Sequence, residues 1–157
     1  MATTLIDKII ISDTSCLIAL EKINQLNILS QLFSVIWITK EIQIEFGKPL
    51  PEGFIIQKVE DDQRKKALEQ IVDKGEASAI ALALETNNAL LIIDEKKGRK
   101  LAESLAIKIA GTLRILLLAK SRGLIPSVSH LLLQLEQHGF RFSKSIKEEV
   151  LKRSHEL

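Results

Sequence analysis

An acidic residue follows a short run of apolar, mostly β-branched residues at two distant places in this chain. Residues 9–11 (Ile-Ile-Ile) lead through Ser12 into Asp13, and residues 90–93 (Leu-Leu-Ile-Ile) lead directly into Asp94. Such runs are typical of strands that are buried on both faces in a parallel sheet. Because ligands bind outside the carboxyl ends of such strands, both carboxylates are predicted to lie at one edge of the sheet. Two acids held close together repel each other unless they share a cation or a proton, which indicates a divalent metal site.

The bulk composition is that of one globular domain. The chain has 157 residues, of which 46% are hydrophobic, enough for a full core. No apolar run reaches the roughly 18 residues that a membrane span needs, and the first eight residues lack the long apolar stretch of a secretory signal. One cysteine, Cys16, cannot form an internal disulfide. We therefore expect no membrane association and a cytoplasmic location.

Apolar runs alternate with helical patterns along the chain, which predicts an α/β domain. Thr39, Asp61 or Asp62, and Ser127 are predicted to cap helices. Gly75 is predicted to end one helix, and a helix that is apolar on nearly every side, and hence buried, is predicted to begin at Glu76. The predicted strands lie near residues 8–12, 35–38, 54–59, 89–93 and 107–110.

Each acid also has a structural explanation that the residues alone leave open. Asp13 and Asp94 could instead serve as helix N-caps. Glu76 could be a first-turn acid favoured by the helix dipole, or it could face Asp13 and Asp94 from the buried helix. Glu95 fits best in the first turn of the helix after Asp94.

Helical spacing adds another carboxylate, at Glu45. At about 100° per residue, Glu45 lies on the same stripe as Ile42 and Phe46, which predicts an acid on an apolar face that needs a cation or strong donors as partner. The alternatives are that Glu45 lies at the edge of this stripe and reaches water, or that Glu41, one turn earlier, replaces it.

The charge pattern is compatible with phosphate contacts without proving them. A net charge of +2 is too small to indicate nucleic-acid binding by itself. A basic cluster follows Asp94, and it is either a solvated helix face or a phosphate-contacting surface. It consists of Lys96, Lys97, Arg99 and Lys100. The chain has no Tyr, one Trp and five Phe, so we expect no base-stacking platform.

The donor atoms restrict the chemistry of the predicted site. All candidate ligands are carboxylate oxygens, which favour Mg²⁺ or Mn²⁺ over zinc. The chain has no Gly-rich dinucleotide fingerprint, no phosphate-binding loop and no Gly-x-Ser-x-Gly motif. A phosphoryl-accepting receiver domain would need a Lys at the end of the last strand, where this chain has none.

Four short motifs occur in a fixed order over about residues 8–125. They are Ile11-Ser12-Asp13-Thr14-Ser15, Gly75-Glu76-Ala77, Leu91-Ile92-Ile93-Asp94 and Gly111-Thr112-Leu113. In these motifs the chain resembles the PIN domain, the metal-dependent ribonuclease fold of VapC-type toxins in bacterial toxin–antitoxin pairs. More narrowly, it is similar to an uncharacterised prokaryotic PIN subgroup. The resemblance implies a three-layer α/β/α fold with a central, mainly parallel sheet of about five strands.

The resemblance also implies roles for particular residues. Asp13, Glu45, Glu76 and Asp94 match the catalytic and metal-ligating acids, and Mg²⁺ or Mn²⁺ is the implied cofactor. Ser15 matches a small hydroxyl residue that supports the first acid. Apart from the resemblance, Thr14, Glu41 and Glu95 are further candidates for a supporting role. The chain departs from the family in having Glu76 where many VapC-type toxins have Asp.

The implied activity is hydrolysis of RNA to 5′-phosphate and 3′-hydroxyl ends. A small antitoxin protein and a second copy of the chain, forming a homodimer, are the implied partners. Residues 1–142 are predicted to form the nuclease domain, and residues 143–157 a helical tail docked on it. The competing hypothesis is a catalytically silent PIN-like module that binds protein or nucleic acid.

Overall fold

The structure is a computed structural model that describes residues 8–157. Residues 1–7, in which the sequence predicts no export signal, lie outside the described range. The strands form one five-stranded sheet in the order β3-β2-β1-β4-β5, and every neighbouring pair in it is parallel. The predicted three-layer α/β/α fold around a five-stranded parallel sheet is therefore confirmed. The strands are β1 (Ile9–Ser12), β2 (Ile36–Ile38), β3 (Phe54–Ile56), β4 (Ala89–Ile92) and β5 (Lys108–Ala110).

Helices connect the strands and follow the last of them. The predicted caps Thr39, Asp61 and Ser127 each accept a hydrogen bond from a backbone N–H of the first turn, and they are confirmed, with Asp61 rather than Asp62 as the cap. The helices are α1 (Thr14–Lys22), α2 (Asn27–Leu32), α3 (Lys40–Phe46), α4 (Asp62–Leu68), α5 (Lys74–Leu84), α6 (Lys96–Ser104), α7 (Thr112–Ser121), α8 (Val128–Gln137) and α9 (Lys144–Arg153).

The two strands that precede the acids are neighbours at the centre of the sheet. Ile11 of β1 pairs with Leu91 of β4, and both side chains are fully buried. Ser12 pairs with Ile92, and the backbone N–H of Asp13 donates to the carbonyl of Ile92 at 2.9 Å. Both strands therefore end at the same level, and the residues that follow them lie at one edge of the sheet.

Helix α5 is buried along almost its whole length, as its apolar sequence predicted. Residues 75–83 are all buried. The predicted boundary at Gly75 is wrong, because α4 already ends at Leu68 and α5 begins at Lys74. The carboxylate of Asp73 accepts a hydrogen bond from the N–H of Glu76 at 2.9 Å. An acid at an N-cap is a strong start signal, and it overrides the tendency of glycine to end a helix.

A pair of buried hydroxyl groups joins α3 to α5. The hydroxyl of Ser78 donates to the carbonyl of Gly75 at 2.7 Å, so at its 2.7 Å contact with Thr39 it acts as the acceptor. Thr39 in turn accepts from the N–H of Ile42 at 3.2 Å. The start of α3 and the first turn of α5 are thus held in one relative position.

The C-terminal helix is anchored through the residue Glu156. Its carboxylate accepts hydrogen bonds from the backbone N–H groups of Val128 (2.7 Å) and Ser129 (3.0 Å), from the Ser127 hydroxyl (2.9 Å) and from Lys120 (2.9 Å). Burial alone would raise the pKa of Glu156, but these hydrogen bonds lower it well below its usual range. Helix α9 packs on α7 and α8. The division of the chain into a nuclease domain of residues 1–142 and a tail of residues 143–157 stays a prediction.

Among residues 8–157, no helix is both long enough and apolar enough to cross a membrane.

We predict that Glu156→Gln lowers the free energy of unfolding by about 1–3 kcal/mol at pH 7, since it weakens four hydrogen bonds to a partly buried charge. The folded-state pKa of Glu156 is depressed, so its stabilisation is complete above the unfolded pKa of about 4.3 and is lost as pH falls through the folded pKa. Urea unfolding at pH 7 and at pH 3.5 measures both effects.

The matched control is Glu148→Gln, on the exposed face of α9. It should leave the unfolding midpoint nearly unchanged at both pH values. Equal destabilisation by the two variants would contradict the anchoring role of Glu156.

Candidate functional site

Asp13 is a buried acid with an unsatisfied oxygen. It occupies the N-cap position of α1, yet its side chain makes no capping hydrogen bond. The side chain is 2% exposed, its Oδ2 accepts from the Ser15 hydroxyl at 3.3 Å, and its Oδ1 has no partner among residues 8–157. Buried polar atoms are rarely left without a partner, and each exception calls for an explanation. An N-cap role does not explain the unpartnered oxygen of Asp13, because the side chain makes no capping hydrogen bond.

Glu76 is also a buried acid with an unsatisfied oxygen, and it lies on a helix rather than directly after a strand. It lies in the first turn of α5, it is 6% exposed, and its Oε2 has no hydrogen-bond partner among the described residues. Its backbone N–H is used by Asp73, so the helix is capped without the help of its side chain.

Neighbouring negative charges raise the pKa of the two buried acids at this edge of the sheet. Burial raises the pKa of Asp13 to about 7, and the negative charges of Asp73 and Glu45 add to the rise. Burial raises the pKa of Glu76 to about 7 as well, with contributions from Asp73, Asp13 and Glu95. These carboxylates therefore form one cluster in which negative charge is in excess.

The structure separates Glu45 from its alternative, Glu41. A Cβ added at Gly75 would lie 2.7 Å from Oε1 of Glu45, so the Glu45 carboxylate lies over the first turn of α5. The carboxylate of Glu41 instead forms an ion pair with Lys65 of α4. Glu45 is nevertheless exposed, and the expectation that it lies on the buried stripe is wrong. The short helix α3 buries Ile42 and Phe46, and Glu45 lies at the edge of their stripe.

Asp94 is held in place by the start of α7. Its Oδ1 accepts from the N–H of Thr112 at 2.8 Å, and its Oδ2 accepts from the Thr112 hydroxyl. A Cβ at Gly111 would lie 2.9 Å from Oδ1 of Asp94, so the glycine makes room for this contact. The Ser15 hydroxyl joins Asp94 to Asp13, because it accepts a long hydrogen bond from the Asp94 N–H (3.4 Å) while donating to Asp13.

The remaining residues predicted to support the site are placed as follows. The buried hydroxyl of Thr14 has no partner within residues 8–157. Glu95 is exposed at the N-cap of α6, close enough for its charge to raise the pKa of Glu76.

Sequence reasoning missed Asp73. Its charge contributes to the raised pKa of both Asp13 and Glu76. The signal that could have found it is the capping-box spacing, an N-cap acid followed three residues later by Glu76.

The four residues predicted to contact phosphate do not all lie on the same surface. Lys97 and Lys100 are exposed on α6. Lys96 and Arg99, with Asp94, line a groove of about 760 Å³. Arg99 is half-buried, and its Nη1 donates to the carbonyl of Ile93 at 3.0 Å, next to Asp94.

The cluster suits a hard cation in its chemistry but is not gathered around one point. Within residues 8–157, no group of three or more Asp, Glu, His or Cys side chains is arranged so that it could hold a metal ion. The donors are all carboxylates, however, and the orphaned oxygens of Asp13 and Glu76 lack a positive partner. In donor chemistry and charge, the residues present therefore fit Mg²⁺ or Mn²⁺.

Comparison with known families identifies the class of protein. A family model described as the PIN domain matches residues 9–156. The chain therefore belongs to the PIN-domain family, whose members are generally nucleases and typically use divalent metal ions. The match runs past residue 142 and includes the C-terminal helix. No curated protein and no solved structure was found to match the chain.

We predict that Asp13→Asn stabilises the metal-free protein at pH 8 by about 1–3 kcal/mol. The folded pKa of Asp13 is raised to about 7, above an unfolded value of about 3.9. The folded state therefore binds more protons than the unfolded state between these values, and ionised Asp13 lowers stability as pH rises. Thermal unfolding in EDTA at pH 4 and pH 8 measures the difference, which should nearly vanish at pH 4. A wild-type protein that is at least as stable as Asp13→Asn at pH 8 would contradict this.

We predict that Gly75→Ala keeps the fold but displaces the Glu45 carboxylate, since the new Cβ would lie 2.7 Å from it. Alanine favours a helix over glycine by up to about 1 kcal/mol, so the unfolding free energy should be unchanged or slightly higher. The affinity for Mn²⁺, measured from the rise of the melting temperature, should fall about 10-fold or more. Glu45→Gln should show the same loss. Wild-type Mn²⁺ affinity in both variants would remove Glu45 from the site.

Proposed function

We propose that this protein is a metal-dependent endoribonuclease that hydrolyses RNA phosphodiester bonds, and that it is the toxin of a toxin–antitoxin pair. The observation that carries the proposal is the pair of buried carboxylates, Asp13 and Glu76, each with an orphaned oxygen in a cluster of excess negative charge. When ionised, such a pair destabilises the fold unless a cation neutralises it, and a bound metal ion would supply that charge.

In this proposal Asp13 and Asp94 hold Mg²⁺ or Mn²⁺ most directly, and Glu76 and Glu45 complete the set. When bound, the ion would lower the pKa of water and stabilise charge that develops on the phosphate. Ser15 keeps the loops after β1 and β4 together through its two hydrogen bonds. Thr112 orients the carboxylate of Asp94 through its N–H and hydroxyl groups.

In the same proposal, the basic residues of α6 bind the phosphates of the RNA. Arg99 is tethered beside Asp94 and is the best placed to contact a phosphate at the site. Lys96 lies on the same groove, and the exposed Lys97 and Lys100 would add long-range attraction for RNA.

We expect Asp13→Asn and Asp94→Asn each to lower the rate of RNA cleavage by about 100-fold or more, because each removes a ligand charge. The assay uses mixed RNAs with Mn²⁺ or with EDTA, and sequencing of the cut ends should find 5′-phosphates. The control is Asp62→Asn, whose carboxylate pairs with Lys66 on the same helix and which should cleave like the wild type. Full activity of folded Asp13→Asn, or cleavage that persists in EDTA, would overturn the proposal.

The toxin role and the partners rest on the resemblance to VapC-type toxins. An antitoxin that places a basic side chain among the acids would relieve the same charge excess as a cation. A short reading frame next to the gene whose product binds this chain and blocks cleavage would support this role. A homodimer is part of the same proposal, and light scattering of the purified chain tests it.

A second candidate function has one observation in its favour. Because no ready-made metal cluster exists among residues 8–157, the chain could be a catalytically silent module that binds protein or nucleic acid. A Mn²⁺ titration separates the two candidates, since a metal site raises the melting temperature by mass action. No rise at millimolar Mn²⁺ would favour the silent module.

A further inference from the structure

The groove beside Asp94 extends well beyond the acids. From Asp94 it passes the first turn of α7 and reaches the connector between α8 and α9. The acids that line it, Asp94 and Glu95, are both at the end next to the acidic cluster. Apart from Ser15 and Thr112, which lie beside Asp94, most of the remaining lining is basic, aromatic or aliphatic, and it includes Lys96, Arg99, Arg114, Phe140, Arg141 and Phe142.

The basic side chains of this groove are not held in ion pairs. Lys96, Arg99, Arg114 and Arg141 form no ion pair with any carboxylate of residues 8–157, whereas other basic residues such as Lys120 do. Several unpaired cations along one concave surface attract a polyanion and raise its local concentration.

Two aromatic rings lie in the same groove. Phe140 and Phe142 are two of the five Phe of the chain, and they are half-buried, packed against the core while also lining the groove. The sequence predicted no stacking platform because aromatic residues are scarce. Their placement on either side of Arg141 in the sequence, in a groove that also holds Arg99 and Arg114, favours such a platform, since single-stranded nucleic acids bind to aromatic rings combined with cations.

The connector that carries these rings is held at both ends. Gly139 adopts a positive φ of 93° and ends α8, and the N–H of Phe140 donates to the carbonyl of Leu135 at 3.1 Å. Ser143 caps α9 by accepting from the N–H of Ile146 at 3.1 Å. Lys147 and Glu136 join the two helices by an ion pair of 3.1 Å. The rings are thus positioned before any ligand arrives, which lowers the entropic cost of binding.

We propose that this groove binds a single-stranded stretch of the RNA substrate, with bases against Phe140 and Phe142 and phosphates on Arg99, Arg114 and Arg141. This inference rests on the proposed nuclease function and assigns residues outside the acidic cluster to recognition of the RNA strand. A duplex keeps its bases stacked on one another and offers no free faces to the two rings, so the groove selects unpaired RNA.

The first experiment measures binding without cleavage. A fluorescent single-stranded RNA 12-mer, and the same RNA in a duplex, are titrated with the full-length protein in EDTA and followed by anisotropy. The double variant Phe140→Leu with Phe142→Leu keeps apolar side chains but removes both ring faces. It should bind the single strand about 10-fold more weakly or worse, since base stacking contributes about 1–3 kcal/mol per base. Phe54→Leu, on strand β3, is the matched control and should bind normally.

The second experiment tests the phosphate contacts. Arg114→Gln and Arg141→Gln should each lower the slope of log affinity against log salt by about 0.7 for a single strand. Arg122→Gln, an exposed arginine just beyond the other end of α7, is the control and should keep the slope. The melting temperature of every variant verifies that the fold is retained.

The outcomes separate this proposal from the nuclease proposal. Weaker binding by folded Phe variants supports the groove even where no cleavage is found. If wild-type protein cleaves RNA but the Phe and Arg variants keep its affinity and its KM, the groove proposal fails and the nuclease stands. Equal affinity for single strand and duplex would also overturn it. If every variant binds RNA as tightly as the wild type, the groove proposal is overturned, and a protein partner becomes the alternative occupant.

Discussion

Repulsion between carboxylates that cannot reach water governs the structure at the carboxyl edge of the sheet. Asp13 and Glu76 are buried, the pKa of each is raised by burial and by neighbouring carboxylates, and each keeps one oxygen without a hydrogen bond. Such an arrangement destabilises the fold on its own, so the rest of the domain must hold it in place. The central strands do so for Asp13, and the capped, fully packed helix α5 does so for Glu76.

The crowding of acids depends on the absence of side chains at three positions. An added Cβ would meet Glu45 at Gly75, Glu76 at Gly98 and Asp94 at Gly111, at 2.7 Å, 2.9 Å and 2.9 Å from a carboxylate oxygen. Each of these glycines lies on a helix, or starts one, that faces the cluster. At all three positions the backbone therefore lies close to a carboxylate, which explains why these glycines occur outside turns.

Prediction from the sequence succeeded where a short run of residues determines both a strand and the position of that strand in the sheet. The acids after β1 and β4 were predictable, because buried parallel strands have a recognisable composition and their carboxyl ends coincide. Glu45 could not be separated from Glu41, since four residues along a helix leave both on one side, and only the contact with Gly75 decides. Asp73 was missed because the start of α5 was misplaced. The groove escaped notice because Phe140 and Phe142 lie in a connector without periodicity, facing residues of α7 that are distant in sequence.

The hydrogen bond that links Ser15 to Asp94 spans 79 positions of the chain. The pairing of β1 with β4 that permits it closes a long loop, and closing a long loop costs conformational entropy. Asp13 consequently stays isolated from Asp94 during synthesis until the second half of the polypeptide has left the ribosome. Any chemistry that needs Asp13 and Asp94 together therefore starts only after the central sheet is complete.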